Sequence, residues 1–171
     1  NMMDSSENDI EIGQYRGQVA PEYRHTAFVG ALKDIKTLLS GSGVDILSGG
    51  RNINYRLNLP LGQGKVNVAV KSFGSRGFIK DMSDARKGSR ARRTWITSVE
   101  MIKRGIATPA PLAFIERWEE RRLKESYYVS LFEDGTTCFR DELVRLFRED
   151  PVCEKFITLL QCVAQAVRKM H

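Results

Sequence analysis

Apolar residues recur at every second position in two consecutive segments in the middle of the chain, which is the period of a half-buried β-strand. A short apolar run, Val44–Ser48, precedes them, and glycine-rich turns separate the segments. We therefore predict three antiparallel strands joined by tight turns. Their apolar positions are Ile53, Tyr55, Leu57 and Leu59 in the second strand and Val66, Val68 and Val70 in the third.

A helical period flanks these strands on both sides. Apolar residues spaced three and four apart predict one helix over Thr26–Leu39. A second helix is expected to start at Ser83 or Ser89 and to run to Arg104, because Gly105 is a typical helix terminator. Its apolar stripe is expected to consist of Trp95, Val99, Ile102 and Ile106.

The rest of the chain reads as two more strands followed by helices. Strands are expected at Leu112–Trp118 and Ser126–Phe132, separated by a charged turn over Glu119–Glu125. Helices are expected over Arg140–Arg148 and Pro151–Met170. The last helix carries a wide apolar stripe, which must be buried against another surface.

The composition narrows the class of protein. The 171 residues, 42% hydrophobic and 28% charged, suffice for one compact domain and exclude collagen-like, disulfide-scaffold and wholly disordered chains. No apolar run is long enough to predict a transmembrane helix. Residues 1–25 begin with an acidic stretch without the apolar segment of a secretory signal. We expect them to form a disordered or extended tail.

Cysteine and histidine usage argues against a metal or disulfide scaffold. Three cysteines, Cys138, Cys153 and Cys162, lack any C-x-x-C spacing, which favours free thiols in a reducing cytoplasmic compartment. His25 and His171 are the only histidines, so neither a metal site nor a catalytic triad is expected from these residues.

The net charge of +6 is concentrated in one span. Residues 65–105 contain eleven Lys or Arg against three acidic residues, a net charge of +8. Such a span attracts an anionic partner, either a phosphorylated substrate, nucleic acid or an acidic membrane surface, or else is simply a solvated helix face. The residues expected to contact an anionic substrate or a membrane are Arg76, Lys80, Arg90, Arg92 and Arg93.

The third predicted strand carries the candidate chemistry. Ala69 and Lys71 are two residues apart in Val68-Ala69-Val70-Lys71, so they share one face of a strand. The small side chain leaves room for a flat ring, and the ammonium group can reach phosphates. Gly49 and Gly50, at the turn after the first strand, would let backbone amides approach those phosphates closely.

This order of strands, glycine turn, lysine strand and helix resembles the N-terminal lobe of the protein-kinase-like fold. Longer segments resemble the lipopolysaccharide kinase family of the Kdo/WaaP type from about Val44 to His171. They are Gly50-Arg51-Asn52, Val70-Lys71-Ser72-Phe73, Ser89-Arg90-Ala91, the nine residues from Gly105 to Ala113, Glu125-Ser126-Tyr127-Tyr128-Val129-Ser130 and Phe139-Arg140-Asp141-Glu142-Leu143.

The resemblance implies a function. Members of this family transfer the γ-phosphate of ATP to a hydroxyl of a Kdo or heptose sugar in the lipopolysaccharide core. The implied acceptor is therefore a core sugar or a lipid-linked precursor, and the cofactors are ATP and Mg²⁺. The implied location is the cytoplasm of a Gram-negative bacterium, with peripheral contact to the anionic inner membrane.

The resemblance also implies roles for individual residues. Lys71 corresponds to the catalytic lysine that contacts the nucleotide phosphates, and Ala69 lines the adenine site. The phosphate-facing turn consists of Gly49, Gly50, Arg51 and Asn52, and the hinge that meets the adenine edge consists of Leu131, Phe132 and Glu133.

The implied fold class is α+β. A five-stranded antiparallel sheet with a packed helix forms the N-terminal lobe over residues 26–132, including a leading helix over residues 26–39. Residues 133–171 form the hinge and the first helices of a C-terminal lobe, truncated before the catalytic loop. We therefore expect the Mg²⁺ ligands beyond residue 171 and the fragment to be inactive alone.

One further departure from the family keeps an alternative open. Kinases usually hold the nucleotide lysine with a glutamate on the following helix, whereas this chain has Thr94 at the corresponding position. Glu100 lies on a different face, where Arg104 is its expected partner. The alternative function is a pseudokinase or a nucleotide- or anion-binding module without turnover. Nucleic-acid binding is less favoured, because the basic span lacks interleaved aromatic residues.

Overall fold

The computed structural model describes residues 9–74 and 88–134, together with Gln161 and Gln165. Its strands are β1 (Ile10–Ile12), β2 (Tyr15–Val19), β3 (Asp45–Ser48), β4 (Asn52–Leu61), β5 (Gly64–Phe73), β6 (Pro111–Glu119) and β7 (Arg122–Leu131). Its helices are a 3₁₀ turn (Pro21–Tyr23), α1 (Thr26–Lys33), α2 (Ile35–Leu39) and α3 (Arg90–Lys103).

The fold class is α+β, as predicted, but the described residues form seven strands instead of five. The strands make one sheet in the order β1-β2-β6-β7-β5-β4-β3, and every described pair is antiparallel. The five predicted strands are β3 to β7. The two additional strands, β1 and β2, extend the sheet beyond β6.

Residues 10–19 are therefore part of the sheet, and the prediction of a tail over residues 1–25 is wrong for them. Ile12, Tyr15 and Val19 are fully or almost fully buried, and they alternate with polar residues across a turn at Gly13. Acidic residues precede and interrupt this short apolar pattern, so the pattern does not predict two strands from the sequence alone. Residues 1–8 lie outside the described part of the chain.

One face of the sheet, called here the core face, carries the main apolar core. The alternating residues Val66, Val68 and Val70 of β5 are buried on it, as predicted, with Leu57 and Leu59 of β4 opposite them. Helices α1 and α2 cover this face through Phe28, Leu32 and Ile35. The two helices replace the single predicted helix, which breaks at Asp34.

The opposite face, called here the α3 face, is covered in part by α3. Ala91 and Trp95 of this helix pack against Phe114 of β6, Tyr128 of β7 and Phe73 of β5. The helix begins after the N-cap Ser89, whose hydroxyl accepts from the N–H of Arg92 at 3.0 Å, and it ends before Gly105, whose φ is +69°.

The predicted apolar stripe of α3 is correct only in part: Trp95 packs against the sheet, whereas Ile102 is 46% exposed. The buried positions of the helix are Ala91, Arg92, Ser98, Glu100 and Met101. The Tyr128 hydroxyl donates to the Ser98 hydroxyl at 2.9 Å, and burial raises the pKa of Tyr128 to about 12 although this hydrogen bond lowers it in part.

The turn between the last two strands is shorter than predicted. Only Glu120 and Arg121 separate β6 from β7, and both have positive φ, which matches the twist of a two-residue hairpin. The charged residues of the predicted turn over 119–125 belong mainly to the strands.

The helices predicted over residues 140–148 and 151–170 lie outside the described residues, except that Gln161 and Gln165 are helical and exposed.

A partly buried carboxylate ties α2 to the sheet. Glu125 of β7 accepts from the Tyr15 hydroxyl at 2.7 Å, from Lys36 of α2 at 2.8 Å and from Arg117 of β6 at 3.2 Å. Burial alone would raise the pKa of Glu125, but these three donors outweigh it and lower that pKa to about 2. Burial and the same carboxylate raise the pKa of Tyr15.

We predict that Gly17→Ala destabilises the protein, because the β2 backbone approaches β6 too closely for a side chain. A Cβ at Gly17 would lie 1.9 Å from the carbonyl oxygen of Phe114. The free energy of unfolding should fall by about 1–3 kcal/mol or more. The control is Gly30→Ala in α1, where a Cβ meets nothing within 4 Å and should stabilise by about 0.5–1 kcal/mol. Equal effects of the two variants in urea denaturation would contradict the close approach.

We predict that Glu125→Gln weakens the acid dependence of stability. Because the folded-state pKa of Glu125 lies near 2 and its ordinary value is 4.5, its stabilisation is present above pH 4.5 and disappears as the pH falls toward 2. Urea denaturation at a series of pH values should show a smaller loss between pH 6 and pH 3 for Glu125→Gln than for the parent chain. Glu22→Gln, at an exposed position, is the control, and an identical pH profile for Glu125→Gln and the parent would be the contrary result.

Candidate functional site

Five polar or small side chains line the part of the α3 face that lies on β4 and β5. We call this set the Lys71 face: Asn54, Arg56, Asn67, Ala69 and Lys71. Their placement follows from strand register, because the alternate residues of both strands are committed to the core face. Each of the five is partly exposed, so a ligand can reach them.

The predicted pair Ala69 and Lys71 does share one face, with defined neighbours. Lys71 lies opposite Asn54 of β4 and Tyr128 of β7, and Ala69 lies opposite Arg56 and Ser130. No carboxylate in residues 9–74 and 88–134 forms an ion pair with Lys71; its nearest described partner is the ring of Phe73, whose centroid lies 5.5 Å from Nζ.

Phe73 brings two of the predicted cations together. The guanidinium carbon of Arg90 lies 4.8 Å from the centroid of the same ring, so Lys71 from β5 and Arg90 from the first turn of α3 contact one aromatic side chain. The positive charge at this end of the Lys71 face is therefore contributed by a strand and a helix that are separate in sequence.

The predicted glycine turn lies between β3 and β4, beside the end of β5. Gly50 has a φ of +106°, a conformation that favours glycine, and a Cβ at Gly49 or Gly50 would meet nothing within 4 Å. The carbonyl of Arg51 accepts from the N–H of Gly74 at 3.2 Å, which extends the β4–β5 ladder. The Oδ1 atom of Asn52 is buried and accepts no hydrogen bond within the described part of the chain.

Two of the three predicted hinge residues, Leu131 and Phe132, have backbone donors that are already used within the protein. Leu131 ends β7, and its side chain packs with the core-face cluster, away from Lys71. The N–H groups of Leu131 and Phe132 donate to the carbonyls of Ala110 at 2.9 Å and Asn67 at 3.0 Å. A ligand therefore cannot use these two donors. Glu133 follows at an exposed position.

Arg56 joins the site although the sequence analysis did not select it. Its guanidinium carbon lies 4.1 Å from the ring centroid of Phe132, and its Nε donates to Oδ1 of Asn67 at 3.3 Å. The sequence contained a signal for Arg56. Arg56 and Lys71 lie on the polar sides of two strands whose apolar sides share one core, so both face the same surface.

Arg92, predicted to contact an anionic partner, is instead used inside the protein. It is 9% exposed, forms an ion pair with Asp9, and its Nε lies 3.3 Å from Oε1 of Glu116. Glu116, 1% exposed, also accepts from the backbone N–H of Ser89 at 3.3 Å and from Trp118 at 2.9 Å. Burial lowers the pKa of Arg92, but the two carboxylates outweigh it and raise that pKa. This network fixes the start of α3 on β6.

The remaining predicted cations are not assembled with Lys71 by any described contact. Arg93 is partly buried on α3, and Arg76 and Lys80 lie outside the described residues. Thr94, at the position expected to carry the lysine-holding glutamate, donates its hydroxyl to the carbonyl of Arg90 at 2.8 Å. Glu100 contacts Arg104 at 3.3 Å, which confirms the predicted partner.

Two further properties of the described residues bear on the site. Over residues 9–74 and 88–134, no three His, Cys, Asp or Glu side chains come close enough together to hold a metal ion. Within the same ranges, no helix has the length and apolar character needed to cross a bilayer.

The sequence matches no protein-family model and no curated protein.

We predict that Arg92→Met destabilises the fold, because it removes the cation that pairs with the partly buried Asp9 and leaves the buried Glu116 with the more distant Arg16, 3.9 Å away. Removing one partner of such a network typically costs about 3–5 kcal/mol in the free energy of unfolding. Urea denaturation measures this loss. Lys103→Met, at an exposed position in the last turn of the same helix, is the matched control. An equal, small loss in both variants would show that Arg92 does not hold α3.

Proposed function

We propose that this chain is the nucleotide-binding part of an ATP-dependent phosphotransferase that acts on the lipopolysaccharide core, a Kdo or heptose kinase. The observation that carries the proposal is the placement of Lys71. It lies on the same partly exposed sheet face as the small residue Ala69, opposite Asn54 in the strand that follows the glycine turn, and no described carboxylate neutralises it.

The arrangement of elements supports the proposal. The five strands from β3 to β7, with α3 between the third and fourth of them, follow the order that the kinase-like resemblance implies. The helix packs on the same face that carries Lys71. A phosphate group held there would be near a strand lysine, a helix arginine and a glycine turn.

Each residue has a definite part in binding a nucleotide. The ammonium of Lys71 and the guanidinium of Arg90 supply charge-assisted hydrogen bonds to phosphate oxygens, which are stronger than neutral ones. Gly49 and Gly50 leave space for phosphates to approach the backbone. Ala69 leaves space for a flat ring.

The transfer step needs groups beyond those described. Phosphoryl transfer depends on Mg²⁺, which neutralises the charge on the β- and γ-phosphates, and on a carboxylate that positions the attacking hydroxyl. The described residues contain no cluster of carboxylates that fits Mg²⁺. We therefore assign nucleotide binding to them and no step of the transfer.

A second candidate function is a binding module that holds a nucleotide without turnover. It is favoured by one observation: the hydroxyl of Thr94 is engaged by its own helix, and Glu100 by Arg104. Lys71 thus has no helix carboxylate to orient it among the described residues. Transfer of labelled γ-phosphate to a lipopolysaccharide core acceptor by a full-length protein that contains this chain supports the kinase, whereas nucleotide binding by that protein without any transfer supports the module.

We predict that Lys71→Met lowers the affinity for ATP about 10- to 100-fold, because it removes a charge-assisted contact to phosphate without shortening the side chain much. Isothermal titration calorimetry on the full chain measures the dissociation constant. Circular dichroism at the same temperature checks that the variant is folded.

The matched control for this variant is Lys65→Met. Lys65 lies on the same strand, but six residues from Lys71, a separation of about 20 Å. This variant should keep the affinity of the parent chain. Either an equal loss in both variants or the absence of ATP binding by the parent would overturn the proposal.

A further inference from the structure

The structure fixes the guanidinium of Arg56 in one orientation. Asn67 accepts from its Nε at 3.3 Å, and Phe132 lies beneath it, with the ring centroid 4.1 Å from the guanidinium carbon. The N–H of Phe132 donates to the carbonyl of Asn67 at 3.0 Å. The chain after β7, strand β5 and strand β4 therefore hold one planar cation together.

No described carboxylate neutralises this cation. Asp45 lies opposite Arg56 in the pairing of β3 with β4, yet the two form no ion pair, nor does any other acidic residue within 9–74 and 88–134 pair with Arg56. The planar guanidinium group can stack on a flat ring through either of its faces. Phe132 occupies one face, and a ligand can occupy the other.

The neighbours of Arg56 define the shape of that ligand. Ala69 lies directly opposite Arg56 across the β4–β5 pair, and Lys71 is the next residue of β5 on the same face. The methyl group of Ala69 leaves a flat space beside the guanidinium plane. Guanidinium planes stack on nucleobases as well as on aromatic side chains.

We propose that Arg56 contacts the base of the nucleotide by stacking its guanidinium on the ring, while Lys71 contacts the phosphates. This inference rests on the proposed nucleotide-binding function. It assigns the two cations of the Lys71 face to two different parts of one ligand.

The test compares ATP with inorganic tripolyphosphate, which has the phosphates and lacks the base. Titration calorimetry on the full chain is done for the parent, Arg56→Ala, Arg56→Lys and Lys71→Met, with Lys65→Ala as the control. Arg56→Ala should weaken ATP binding about 5- to 50-fold, the usual value of one stacked base. It should leave tripolyphosphate binding unchanged. Lys71→Met should weaken the binding of both ligands.

Arg56→Lys keeps the charge and the long side chain but loses the planar guanidinium group. It should therefore weaken ATP binding nearly as much as Arg56→Ala does. It also keeps the test valid if Arg56→Ala does not fold. An equal loss of ATP and tripolyphosphate affinity in the Arg56 variants would place this residue at the phosphates and overturn the inference. Unchanged ATP affinity in both variants, with Lys71→Met still impaired, would overturn it and leave the proposed function standing. A parent chain that binds neither ligand would overturn both.

Discussion

The register between β4 and β5 is the constraint on which the site depends. Side chains alternate between the two faces of a strand, so a slip of one residue would exchange every residue of the two faces. Burial of Val66, Val68 and Val70 on the core face therefore commits Ala69 and Lys71 to the opposite face. The apolar core selects the register, and the register in turn places two cations beside a small residue on an accessible surface.

The partners of each cation, more than the number of charges in a span, distinguish the cations of the candidate site from those that stabilise the fold. Arg92 lies in the most basic span of the chain, but Asp9 and Glu116 hold it within the protein. Lys71 and Arg56 contact aromatic rings and form no ion pair with any described residue. The first arrangement stabilises the position of α3, and the second leaves charge available to an anionic ligand.

The two-residue periodicity predicted β4 and β5, their core face and the shared face of Ala69 and Lys71, because local alternation determines all of these. Short apolar runs bounded by turn residues predicted the other three of the five strands. Neither pattern predicted β1 and β2, since Tyr15 and Val19 gain their burial from pairing with β6, about a hundred residues away. The buried side of α3 also escaped prediction in part, because Ser98 is buried through its hydrogen bond to Tyr128 and not through hydrophobicity. Arg56 was missed for a related reason, since its partners Asn67 and Phe132 are brought to it only by the sheet.

The most direct test of the account is a crystal structure of the full chain with a non-hydrolysable ATP analogue. The account predicts that the ligand lies on the face formed by β4 and β5, with a phosphate oxygen within hydrogen-bonding distance of Lys71 Nζ and the base beside Ala69. An analogue bound elsewhere on the protein, with Lys71 pointing to solvent and making no contact to it, would contradict the account.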